Sequence, residues 1–159
     1  MPKEFSDLPI ASVPQRLAAL GYDVLILAGL IMVYGFAFMM LAGAVTGLDC
    51  KPDELDYSPC VGGPLYQLGI LGVIAAYYIY SWRGAGQTVG MRAWRLLLAN
   101  HDGTQLSYPQ CFKRCLVGPI SLVAAGLGFF WGWIDKNGAS WHDLASGSEM
   151  RVLPKKKKS

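Results

Sequence analysis

The chain has 159 residues, 53% hydrophobic and only 16% charged, with a net charge of +3 at pH 7. The length is that of one domain. A mean hydropathy of +0.32 excludes an ordinary soluble globule, and the modest net charge gives no reason to expect a nucleic-acid partner.

The first apolar segment, Leu17 to Ala44, carries Asp23 as its only formal charge. Spanning a bilayer takes about 20 apolar residues, so this segment predicts a transmembrane helix. The "AGA" at Ala42 to Ala44 has the look of a signal cleavage site. A signal core is about 7–15 residues, however, and this run is far longer and interrupted by Asp23.

The loop that follows, Val45 to Pro64, sets Lys51 against Asp49, Asp53, Glu54 and Asp56. A second uncharged segment, Leu65 to Trp82, predicts a second transmembrane helix. The next loop carries Arg83, Arg92, Arg95, Lys113 and Arg114 against Asp102 alone. Basic loops stay in the cytoplasm, so the acidic loop is expected outside and the N-terminus inside. Cys50 and Cys60 then fall in the outer loop, where an oxidising compartment permits a disulfide; the alternative is two free thiols. Several of the five Trp and eight Tyr stand at segment ends, as interfacial anchors do.

Within the basic loop, "GAGQTVGMRAW" reads as a turn leading into a short helix. In "RLLLANHDGTQLSY", Asp102-Gly103 between two apolar runs predicts a cytoplasmic β-hairpin, with "EMRVL" (Glu149 to Leu153) able to pair with it. A third apolar segment, Cys115 to Ile134, contains Gly118-Pro119 near its start. Proline removes a backbone donor, so Ser107 to Ile134 is read as two helices meeting near Gly118-Pro119, a re-entrant or interfacial hairpin. That arrangement returns the basic end "RVLPKKKKS" to the cytoplasm; a simple third span is the alternative. "WHDLASG" reads as a helix start after a Ser140 cap, with Asp143 in its first turn. The fold class expected is thus a mainly α-helical membrane protein. It has one domain over residues 1–154 and a basic tail over 155–159.

Arg16 at the start of the first helix, Asp23 within it, Asp143 in a His-Asp context and the stretch "GQTVGMRAWRLLLANHDG" together resemble the RDD family of small membrane proteins, named for one arginine and two aspartates. The resemblance runs from about Val13 to Val152. It departs from the family at Met91, where lysine is common, and in the acidic, cysteine-bearing loop. The resemblance implies a transport role, which in some members is linked to cation/proton antiport, and attaches no substrate.

Arg16 and Asp23 are two turns apart and share a helix face, but about 10 Å of rise separates them. Each therefore needs another partner. Aspartate costs about 2.5–3.5 kcal/mol at the centre of a membrane helix and less near its edge. In one reading Arg16 and Asp23 staple the helix to the cytoplasmic segment, with Asp143, His142, Arg92 and the "GQTVG" backbone as partners. In the other, Asp23 is a site where a proton and a cation compete beside a broken helix.

His142 is a pH-sensitive group by type. With only His101 besides it, and with Cys111 and Cys115 four residues apart, no metal site and no cofactor are expected. There is no nucleophile triad, and the glycines at Gly84 to Gly90 lack the spacing and lysine of a phosphate loop, so no enzyme activity is expected. Two functions remain. One is cation/proton exchange through an oligomer in a bacterial-type inner membrane. The other is a non-transporting accessory or scaffold subunit of a larger complex. The partners expected are membrane lipids, including anionic headgroups near the basic loop and tail, and a second copy or another membrane protein.

Overall fold

A computed structural model describes residues 5–46, 63–123, 131 and 140–154. Helix α1 (Val13–Thr46) runs unbroken through the first apolar segment. At about 1.5 Å per residue it is roughly 50 Å long, beyond the roughly 30 Å apolar core of a bilayer. Burial divides it. Val13, Arg16, Ala19, Asp23 and Leu27 are buried, at the three- and four-residue spacing that forms one face. Past Leu27 the described side chains are exposed or half-buried, among them Met32, Val33, Phe36 and Leu41. With a mean hydropathy of 2.5, α1 is long and apolar enough to cross a membrane.

Helix α2 (Pro64–Gly84) begins with proline in its first turn, where no N–H is missed, and ends with Arg83 in its last. It packs on α1 through an aromatic cluster. Tyr66 lies 5.5 Å from Tyr34 and 5.2 Å from Phe38, centre to centre. Cys50 and Cys60 lie outside the described residues.

After α2 the chain turns back onto α1. Thr88 caps the short helix α3 (Val89–Ala93), its hydroxyl accepting the Met91 N–H at 3.1 Å. Arg95, in the left-handed region at φ 56°, then re-aims the backbone into strand β1 (Leu96–Asn100). β1 pairs antiparallel with strand β2 (Ser148–Val152), with Leu96 opposite Val152, Leu98 opposite Met150 and Asn100 opposite Ser148. The N-terminal segment lines the outer edge of β2: Ala11 N–H donates to Met150 O at 2.9 Å and Val152 N–H to Pro9 O at 2.8 Å.

The expected local hairpin at Asp102-Gly103 does not form, because both edges of β1 are taken. β2 holds one. On the other, Leu98 N–H donates to Gly86 O at 2.9 Å and Gln87 Nε2 donates to Leu96 O at 2.6 Å. Gly86 has φ 65°, and a Cβ there would lie 2.7 Å from Leu98 O, so this approach requires glycine. The turn itself exists, with Gly103 N–H donating to Asn100 O at 2.9 Å. Asp102 Oδ1 accepts from the Thr104 hydroxyl at 2.6 Å and N–H at 3.0 Å. These bonds hold its carboxyl below the usual carboxylate range. The chain then leaves the sheet, buries Leu106 and enters helix α4 (Tyr108–Val123).

α4 also corrects the expected break at Gly118-Pro119: the helix continues through Pro119 to Val123. Proline excludes a helical predecessor chiefly through a clash with that residue's Cβ and N–H, and Gly118 has no Cβ. One backbone hydrogen bond is lost, and the helix persists. The remainder of the third apolar segment, Trp131 apart, lies outside the described residues. Helix α5 (Trp141–Ser146) packs on α4 and leads directly into β2.

The core lies where these elements meet at the base of α1 and α2. Leu96, Leu98, Leu106, Met91, Met150, Cys111 and Trp82 form it, with Ala11 and Ala19. Each fully buried leucine there contributes about 1.5–3 kcal/mol of transfer free energy.

Candidate functional site

The buried face of α1 ends in two separate polar clusters, one at Arg16 and one at Asp23. In the first, Arg16 is 4% exposed, Asp143 1% and Arg114 2%. Arg16 Nη1 pairs with Asp143 Oδ2 and also donates to Ser140 Oγ at 2.7 Å, while its Nε donates to Ala11 O at 3.1 Å. Arg114 Nη1 holds the other carboxylate oxygen, Oδ1, at 2.6 Å and reaches Ser148 Oγ at 2.5 Å. Asp143 Oδ2 accepts the Ser140 N–H at 3.1 Å, the back-bond of a capping box at the start of α5. Two guanidiniums thus converge on one carboxylate, which joins α1, α4, α5 and β2. Breaking a buried pair by removing one partner costs about 3–5 kcal/mol.

In the second cluster no cation touches Asp23 among the described residues. Asp23, 3% exposed, instead accepts three bonds from neutral donors. Its Oδ1 takes the Gly90 N–H at 2.8 Å and the Tyr77 hydroxyl at 2.7 Å, and its Oδ2 takes the Thr88 hydroxyl at 2.6 Å. The Tyr77 oxygen in turn accepts the Val89 N–H at 3.3 Å. A carboxylate taken from water needs such bonds to offset its lost hydration. Here they come from α2 and the cap of α3, so Asp23 ties three elements together. The close approach depends on Gly90: a Cβ there would sit 2.1 Å from Ala19 O.

The structure therefore brings Arg16 to Asp143 and leaves Asp23 apart from both. It seats Asp23 on the "GQTVG" turn and its following helix. Arg92, expected beside Asp23, is exposed on α3 with no side-chain partner among the described residues, because the face of α3 that meets α1 carries Gly90 and Met91 instead. The His142 side chain lies outside the described residues. Sequence reasoning missed Arg114, which it assigned to the topology of the basic loop. A signal was present: Arg114 shares a helical face with Cys111, Cys115 and Gly118, so a turn-by-turn reading of α4 would have turned it inward. It also missed Tyr77 and Thr88, whose hydroxyls reach Asp23 only through the packing of α2 and α3 onto α1.

Arg114 is itself placed by aromatic packing. Its guanidinium lies 5.2 Å from the Trp82 ring, which stands 5.0 Å from Tyr78. A small cavity of about 160 Å³ opens over the first cluster, between α5 and β2. At its rim His101 Nδ1 lies 2.6 Å from Glu149 Oε1. Among the described residues no group of histidine, cysteine and carboxylate side chains is arranged to hold a metal ion.

No curated protein and no solved structure matches the chain. The family model described as RDD family matches residues 10–147, a span that contains Arg16, Asp23, Arg114 and Asp143 and the apolar helix α1. On that match the chain belongs to the RDD family, and it is a membrane protein.

Proposed function

We propose that the chain is a non-transporting membrane subunit, in which α1 and α2 cross the inner membrane and the β1–β2 sheet with α3 and α5 forms a rigid cytoplasmic platform for a partner. The observation that carries this reading is the bonding of Asp23, whose two oxygens are engaged by Gly90, Tyr77 and Thr88. A carboxylate so occupied is a fastening between helix and platform. The charge asymmetry of the loops supports a cytoplasmic N-terminus, an outer loop over residues 45–64 with Cys50 and Cys60 as a candidate disulfide, and a cytoplasmic basic tail. Small size supports a second copy or another membrane protein as the partner.

Cation/proton exchange through an oligomer is the second reading. One observation favours it: two of the three Asp23 partners are hydroxyls, which can turn from donating to accepting when the carboxylate is protonated.

One experiment separates the two. Purified protein in liposomes is assayed for cation-dependent proton flux beside an Asp23→Asn variant, and the protein is isolated in parallel by gentle solubilisation. The proposal expects no flux from folded wild type and a stoichiometric partner. Flux that the variant lacks would reject it in favour of exchange.

A further inference from the structure

Arg83 stands where α2 leaves its apolar stretch. Its Nη1 donates to Gln105 Oε1 at 3.2 Å, and its guanidinium lies 5.3 Å from the centre of the Tyr108 ring. Gln105 is held in turn, its Nε2 donating to Gly84 O at 3.0 Å. Unlike Arg16, Arg114 and Arg151, Arg83 has no carboxylate partner among the described residues. Its Nε is buried without a hydrogen-bond acceptor. A positioned guanidinium without a counter-anion, at the end of a membrane helix, is electrostatically incomplete.

Beside it lies a cleft of about 310 Å³ between α2 and the start of α4, lined by Ala76, Ile79, Tyr80, Arg83, Gly84 and Tyr108. The cleft is graded in polarity. Arg83 and Tyr108 stand at one end, Tyr108 65% exposed, and Tyr80, 84% exposed, lies one turn back beside Ile79. Ile79 and Ala76 lie one and two turns back along α2, toward the apolar stretch. Tyr108 also begins an exposed track on α4, continued by Phe112, Leu116 and Ile120 at four-residue intervals. α4 packs against α2, with Arg114 stacked on Trp82. Cation and phenols above, and apolar helix faces below, match an amphiphile with an anionic head.

We propose that this cleft binds an anionic glycerophospholipid, with the phosphate on Arg83 and an acyl chain along Ala76, Ile79 and the Phe112–Leu116–Ile120 track. The tyrosines flank the headgroup at the interface, where amphipathic rings are favoured. The site is distinct from both clusters on α1 and stands under either reading of function.

The test uses the full-length protein, delipidated in detergent and offered equal amounts of phosphatidylglycerol and phosphatidylcholine, with retained lipid read by native mass spectrometry. One cation near the headgroup layer corresponds to roughly a fivefold preference. The wild type is expected to retain phosphatidylglycerol about fivefold over phosphatidylcholine, Arg83→Gln to lose that preference, and Lys113→Gln, an exposed cation of α4 outside the cleft, to keep it. Millimolar inorganic phosphate should not displace the lipid. Equal retention by the wild type, a preference surviving Arg83→Gln, or an equal loss in Lys113→Gln would each overturn the site. Displacement by phosphate would make it a free-anion site and overturn it as a lipid site. Should Arg83→Gln fail to fold, Tyr80→Ala decides, since that exposed side chain carries little of the fold. Retention should fall at least twofold, and unchanged retention counts against the proposal.

Discussion

Gly90 donates its N–H to Asp23 at 2.8 Å, and its α-carbon packs directly against the backbone of Ala19. A Cβ there would meet the Ala19 carbonyl oxygen at 2.1 Å, and backbone cannot swing aside. Gly90→Ala should therefore push α3 off α1 and weaken the Asp23 bond, at a cost of about 3 kcal/mol. Thermal unfolding in detergent measures it. A loss under about 1 kcal/mol would mean that α3 is not held against α1.

Gly69 offers the control. A Cβ there would come within 1.8 Å of the Tyr34 hydroxyl, a closer clash on paper. The obstacle is the tip of a side chain, whose own bond to Tyr66 O is long at 3.4 Å. Gly69→Ala should cost under about 1.5 kcal/mol, less than Gly90→Ala in the same assay. The reverse order would contradict this account of the α1–α2 contact.

Asp23→Ala leaves the Gly90 N–H and the Thr88 and Tyr77 hydroxyls without their acceptor. An unsatisfied buried donor costs about 1–3 kcal/mol, so the variant should lose about 3 kcal/mol or more. Asp23→Asn keeps one acceptor oxygen and should lose about half as much. Hydrogen exchange at Gly90 provides the local readout: it should quicken in both variants and most in Asp23→Ala. Equal exchange in all three proteins would place the fastening elsewhere.

Asp143→Asn faces two buried guanidiniums with a neutral amide. The expected loss is about 3–5 kcal/mol. Adding Arg114→Met removes one of the stranded cations and should restore part of it, since a buried pair replaced by apolar groups is often nearly neutral. A double variant less stable than Asp143→Asn alone would show that Arg114 serves chiefly through Ser148 and Trp82.

Asp102 is exposed, and its bonds to Thr104 hold its pKa below the usual carboxylate range. A depressed carboxylate contributes stability that is present above the unfolded value of about 3.9 and is lost as pH falls through the lower folded value. Carboxyl titration by NMR should place its midpoint below about 3.9. Thr104→Val should move that midpoint up, part of the way, because the backbone N–H bond remains. An unmoved midpoint would remove the hydroxyl as the principal cause.

Much of the frame was legible in the sequence. The length and apolarity of Leu17 to Ala44 dictate a long helix, the three- and four-residue spacing puts Arg16 and Asp23 on one face, and Ser140 with Asp143 marks the start of α5. These follow from local rules, in which neighbours in sequence are neighbours in space. The pairing of β1 with the Glu149–Leu153 run was also legible, whereas the seating of Gly86 on the other edge of β1, the continuity of α4 through Pro119, the partners of Arg114 and the separation of Asp23 from the Arg16–Asp143 pair were decided only by the tertiary structure. Each depends on which distant group packs at a hydrogen-bonding edge or a buried charge: Gly86 at β1, Gly90 and Thr88 at Asp23, and two arginines from different helices at Asp143. A sequence states that a buried carboxylate must be compensated; packing alone selects the donors.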